Sequence, residues 1–168
     1  SSNELLKNIT HCPHSTRFLK EFLSTVCKPI ELVILPDMSK TDRLVVKRSS
    51  AGLGLFAAAP FKKDERIIEY TGEVISADEA NRRGGKFLFE LNDKRTVDGK
   101  GRSNLARYIN HSCRPNCEPI LSYDEKRVHI HAKRNIKVGE EITYHYGKDY
   151  FKRIIEPLGC RCPKCATK

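Results

Sequence analysis

The spacing of apolar residues changes near residue 30. Before it, Leu19, Phe22, Leu23 and Val26 recur at helical intervals behind Ser15 and Thr16 as a cap. Residues 3–27 are therefore expected to form one amphipathic helix, broken near Pro13, that packs against the domain. After it, apolar and β-branched residues come in short runs between turn formers. The runs are Glu31–Leu35, Arg43–Lys47, Leu55–Ala58, Arg66–Tyr70, Lys86–Leu91, Arg127–Ala132 and Glu141–Tyr146. That punctuation predicts a mostly β domain of many short strands, α+β in class. One short helix is expected inside it, with Ser76 as N-cap, Glu79 at the third helical position and Gly84 as C-cap.

One stretch fits neither period. Arg107-Tyr-Ile-Asn-His-Ser-Cys-Arg-Pro-Asn-Cys117 is rich in residues that compete with helix and strand ladders. Its lead-in, Leu105–Ile109, is apolar and reads as buried. The sequence thus carries Asn110 and His111 inward, where their polar groups need partners. Pro115 and Asn116 read as a turn.

Composition narrows the setting. The chain has 168 residues, 39% apolar and 31% charged, which suits one folded domain and excludes a disordered one. No apolar run reaches the ~20 residues that span a bilayer. No secretory leader is read either, so neither membrane insertion nor export is expected. The net charge of +10 is spread over scattered basic pairs such as Lys62-Lys63 and Arg82-Arg83. It points to polyanion contact, nucleic acid first.

Five of the seven cysteines fall in the last third, an uneven spread that suits metal better than disulfides. Cys160, Cys162 and Cys165 put three thiols within six residues, and structural zinc takes four ligands. The fourth must come from elsewhere: Cys113 is the natural candidate, with Cys117 and His111 behind it. Cys12, with His11 and His14, reads as incidental. Gly52-Leu53-Gly54 serves either a tight turn or close approach of a ligand to the backbone. Tyr144 and Tyr146 alternate on one predicted strand and share a face. With Tyr70 they suggest an aromatic pocket tipped with hydroxyls.

In chain order these pieces resemble the SET-domain family of protein-lysine methyltransferases. The resemblance runs from about residue 43 to 165. It rests on Gly52-Leu53-Gly54, Glu69–Ile75, the Asn-His-Ser-Cys stretch, Gly139–Gly147 and the cysteine tail. It implies a fold of small sheets in which the Asn-His segment threads a pseudoknot. It divides the chain into an N-terminal segment (1–42), a SET domain (43–150) and a post-SET zinc tail (151–168). It implies S-adenosylmethionine as cofactor, held by Gly52, Leu53, Gly54, Phe87, Arg107, Asn110, His111 and Tyr146. Structural zinc would sit on Cys113, Cys160, Cys162 and Cys165. Tyr146 would be the catalytic tyrosine, Tyr70 would line a lysine channel, and Tyr144 would limit the product mainly to monomethyl-lysine. Four places depart from the family pattern. Phe87 stands for a tyrosine, His145 separates the two tyrosines, the tail is short, and no cysteine-rich segment precedes the domain.

The partner so implied is a histone tail, with nucleosomal DNA against the basic surface, no membrane, and a nuclear monomer (in its own cell, or in a host nucleus for a microbial effector). A non-histone protein, or a silent module that binds chromatin or nucleic acid, are the alternatives. A basic enzyme acting on a basic tail needs local acids in its groove. Glu73, Asp78, Glu79, Glu90, Asp124 and Glu125 are the candidates.

Overall fold

A computed structural model of the chain describes residues 42–166. The helix expected over 3–27 and the run Glu31–Leu35 lie outside them. Strands β1 (Leu44–Ser49) and β2 (Gly52–Ala57) form a hairpin, paired from Leu44↔Ala57 to Ser49↔Gly52. Next come β3 (Arg66–Tyr70), β4 (Glu73–Ser76), helix α1 (Ala77–Arg83), β5 (Leu88–Asn92) and β6 (Arg95–Asp98). A 3-10 turn, Leu105–Tyr108, leads into β7 (Asn110–His111), followed by β8 (Cys117–Leu121), β9 (Val128–Ala132) and β10 (Thr143–Tyr144). The chain closes with α2 (Lys148–Tyr150), a wide π turn over Phe151–Ile155, and α3 (Pro163–Ala166).

The strands sort into small sheets in the orders β3-β9-β8 and β4-β6-β5, besides the β1-β2 hairpin and the β7-β10 pair. The last is the only parallel pair among the described strands, matching Thr143 to Asn110 and Tyr144 to His111. The core runs between the sheets. Leu55, Phe61, Ile67, Ile109, Val128, Ile130, Ile136 and Ile142 are all 2% exposed or less. Each such side chain contributes on the order of 1.5–3 kcal/mol of burial.

Helix α1 forms as its caps predict. The Glu79 N–H donates to Ser76 Oγ at 3.2 Å, and Gly84 ends the helix at φ 58°. Its last turn is tied down by Arg83, which donates to Glu79, Glu73 and buried Asp98 at 2.6, 2.7 and 3.0 Å. Burial alone would raise the Asp98 carboxyl. The Arg83 guanidinium, with Lys100, outweighs that and holds it below the ordinary carboxylate range.

Two expectations change. The strand expected over Glu141–Tyr146 shrinks to Thr143–Tyr144, because side chains take the ladder's donors. Thr143 N–H donates to Asn116 Oδ1 at 2.8 Å and Tyr146 N–H to His111 Nδ1 at 3.2 Å. Asn110–His111, expected to avoid regular structure, forms the short strand β7, since β10 offers it a parallel partner.

Candidate active site and cysteine cluster

Strand β10 and the two residues after it deliver Tyr144 and Tyr146 to one place, their ring centroids 5.1 Å apart. The end of β3 brings Tyr70, and β5 brings Phe89, packed 5.4 Å from Tyr70 and 6.2 Å from Tyr144. Gly99 makes this possible. A Cβ there would lie 2.4 Å from the Tyr70 ring and 2.5 Å from Asn104 Nδ2. These rings, with Phe87, Ala106, Ile109 and Tyr150, line a cavity of about 350 Å³. A second cavity of about 360 Å³ is lined by Asn110, His111, Ile154, Ile155, Leu158 and the backbone around Cys160–Cys162. Tyr146 lines both.

The tyrosines are donors whose protons are committed. Tyr146 donates from its hydroxyl to the Ile109 carbonyl at 2.6 Å, and Tyr70 to the Phe87 carbonyl at 2.9 Å. Burial raises Tyr70 to about 12, pushes Tyr146 higher with help from Tyr150, and lifts Tyr144 well above the ordinary phenol value. All three stay protonated at neutral pH and cannot act as general bases. With the proton of Tyr146 pointing at Ile109, its oxygen presents lone pairs elsewhere, as an acceptor.

The Asn-His segment finds its partners. Asn110 Nδ2 donates to the Glu141 carboxylate at 2.8 Å and to the Leu53 carbonyl at 3.0 Å. This pins the Gly52-Leu53-Gly54 backbone beside β7. Gly54 is needed for close approach, because a Cβ there would sit 2.4 Å from Glu141 Oε1. His111 is buried, and burial, then His145, push it down to about 4. A neutral ring that accepts the Tyr146 N–H at Nδ1 carries its proton on Nε2, which faces Cys113 Sγ at 3.5 Å.

Cys113, Cys160, Cys162 and Cys165 converge, their sulfurs all within 4.8 Å of one another. Cys113 lies 3.9 Å from Cys160 and 3.7 Å from Cys165. Zinc–thiolate bonds of about 2.3 Å in a tetrahedron set sulfurs about 3.8 Å apart, so the donor set fits zinc. Burial works against a thiolate at Cys162, but N–H groups of Cys113 and Cys165 outweigh it and lower its pKa. Cys117 is buried apart, its thiol on Asn116 Oδ1, and His111 meets the cluster only as a neighbour of Cys113.

The remaining expected residues divide. Phe87 and Arg107 line the tyrosine cavity, the Arg107 guanidinium 4.0 Å over the Phe87 ring, rather than the cavity of Asn110 and His111. Two buried asparagines had no role beyond a turn in the sequence. Asn116 accepts from Thr143 and donates to the Glu141 carbonyl at 2.8 Å. Asn104 accepts from Thr71 N–H and donates to the Gly99 carbonyl.

A model of the SET domain matches residues 52–147. The chain belongs to the SET-domain family. Histone-lysine N-methyltransferase set1 of Dictyostelium discoideum is 36% identical over 94% of this chain and 11% of its own length. Histone-lysine N-methyltransferase 2D of Homo sapiens is 38% identical over 73% of this chain and 2% of its own. This SET domain therefore spans a small part of those curated relatives. Among solved structures, a crystal structure of the Chaetomium thermophilum polycomb repressive complex 2 superposes with a TM-score of 0.58 and 38% identity. That match covers 63% of this chain and 15% of the other.

Proposed function

We propose that this SET domain transfers a methyl group from S-adenosylmethionine to a protein lysine, with a histone lysine as the first substrate to test and monomethyl-lysine as the main product. The observation that carries it is Tyr146, which lines both cavities while its hydroxyl proton is held by Ile109. In this reading the tyrosine cavity takes the lysine side chain and the other takes the cofactor. Asn110 and His111 form part of the cofactor wall, and Asn110 also holds the Leu53 carbonyl.

The sulfonium of S-adenosylmethionine supplies an electrophilic methyl group when bound. The attacking amine must be neutral, which costs roughly 4 kcal/mol at neutral pH for a lysine of ordinary pKa. The apolar walls of Phe87, Phe89 and Ile109 disfavour the ammonium and lower that cost. The oxygens of Tyr146 and Tyr70 accept hydrogen bonds from the amine and turn its lone pair toward the methyl. Neither tyrosine removes a proton, so the proton leaves to solvent before transfer. Zinc on the four cysteines would hold the tail segment that forms one wall of the cofactor cavity.

Tyr144 is 8% exposed and lines the tyrosine cavity. A water held there fills the room a second methyl would need, which supports monomethylation. The test is labelled-methyl transfer to core histones and nucleosomes, with mass spectrometry reading site and methyl number. Transfer to lysine that Tyr146→Phe abolishes is expected. No transfer to any histone or lysate protein, with DNA still bound, would favour a silent chromatin-binding module.

A further inference from the structure

Few of the acids that a basic substrate would need line the lysine cavity. Glu73 and Glu79 are spent on Arg83, and Glu79 also pairs with Arg82. Asp98 is shared by Arg83 and Lys100. Asp124 is bonded to Ser122, and Glu125 accepts from Asn92. Of the acids singled out in the sequence, only Glu90 lines the cavity, joined by Asp149. Against those two stand Lys86, Arg107, Lys148 and Arg153.

None of these four cations is within ion-pair distance of a carboxylate among the described residues. Three are exposed residues at the rim of the cavity, Lys86 just before β5, Lys148 in α2 and Arg153 in the π turn. Arg107 is the fixed one. Its guanidinium stacks on Phe87 at 4.0 Å and donates to the Lys100 carbonyl, while its buried Nε has no acceptor.

We propose that this rim selects a target lysine flanked by acidic side chains, and disfavours one set in a basic run. The inference rests on the methyltransferase reading and narrows its substrate: a histone lysine qualifies where its neighbours are Asp or Glu. Two effects act together. Carboxylates on either side of the target meet the unpaired cations at the rim, which steers encounter and holds the peptide. The same cations oppose a proton on the target amine, so they favour the neutral form that reacts. A flanking Lys or Arg gains neither effect and adds like-charge repulsion.

The experiment compares peptides that share one target lysine on a Gly-Ser-Ala scaffold, flanked by Asp, by Ser or by Lys. Cofactor turnover is measured at low and at high salt. The Asp peptide is expected to exceed the Lys peptide about tenfold in kcat/KM at low salt, the sum of a few exposed ion pairs. The ratio should shrink below about threefold near 0.5 M salt, where charges more than a few ångströms apart are screened. Arg153→Glu with Lys148→Glu should reverse the order. Should that variant not fold, Arg153→Gln and Lys148→Gln singly should each narrow the ratio about twofold.

Equal turnover of Asp and Lys peptides at low salt overturns the proposal, as does a preference that salt does not weaken. Equal turnover with tight DNA binding that Arg153→Glu abolishes would assign the rim to phosphate instead. Transfer to none of the peptides, by protein that still binds S-adenosylmethionine, overturns the methyltransferase reading and the preference with it.

Discussion

At the scale of single residues, the tyrosines of the site are held protonated and cannot act as bases. Tyr146 is held protonated by burial, and its hydrogen is fixed on the Ile109 carbonyl. In the proposed reaction its part is to orient an amine, and orientation is what Tyr146→Phe would remove. That variant should lose about a hundredfold or more in kcat/KM, the usual effect of a misplaced reactant. Cofactor affinity by calorimetry should stay within about threefold, because the ring still walls the cofactor cavity. Full turnover would remove Tyr146 from the chemistry. Tyr144 acts by volume: Tyr144→Phe deletes the hydroxyl that would hold a water, so mass spectra should move toward di- and trimethyl-lysine. An unchanged product pattern would remove the water from the account. The alternation of the two tyrosines was legible in the sequence because period two is local. The role of Asn116 was not, because its bonds reach Glu141 and Thr143, up to 27 residues away, and leave no periodic trace.

At the scale of elements, side chains replace missing ladder bonds. Strand β10 is only two residues long, and Asn116 satisfies the backbone around it. Asn116→Ala would leave the Thr143 N–H without its acceptor in the interior, a cost of about 1–3 kcal/mol. Chemical denaturation should read that loss, and Asn116→Asp should not restore it, since an Asp cannot donate to the Glu141 carbonyl. The helix α1 shows a second device. Asp98 titrates below its unfolded value because Arg83 holds its ionised form. A carboxyl depressed in the folded state contributes stability above the ordinary carboxylate pKa and loses it as pH falls toward the folded value. The Tm should therefore drop with acid below about pH 4, and Asp98→Asn should flatten that part of the profile while lowering Tm at neutral pH. The helix caps were legible because Ser76, Glu79 and Gly84 act within one turn. Strands β4, β6 and β8 were not, since β4 and β6 hold at most two consecutive apolar residues and β8 carries Glu118 and Pro119, so pairing rather than pattern makes them strands.

At the scale of the molecule, the question is what holds together the cavity of Asn110 and His111, which the proposed function gives to the cofactor. One wall is the body of the domain, Asn110 and His111. The other is the tail, Ile154, Ile155, Leu158 and the Cys160–Cys162 backbone. Most of the tail's side chains are exposed, Leu158 at 79%, so apolar burial contributes little to hold it. The Phe151 ring packs 5.3 Å from His111 where the tail begins, the Ser50 hydroxyl bonds the Arg161 carbonyl at 2.9 Å, and Cys113 meets three tail cysteines. A tail with so little apolar burial would gain from the metal those thiols fit, because metal binding there would contribute directly to holding the segment in place. Cys113→Ser removes the only ligand on the body side while leaving the three on the tail. It should lower bound zinc below one ion per chain by metal analysis and raise the cofactor Kd about tenfold, with the Tm of the sheets changed much less. Chelation of the unaltered protein should give the same Kd. A variant that lost zinc yet bound cofactor at full affinity would show that the tail closes the cavity by its own packing, leaving His111, between Cys113 and Tyr146, as a contact with no signal to carry.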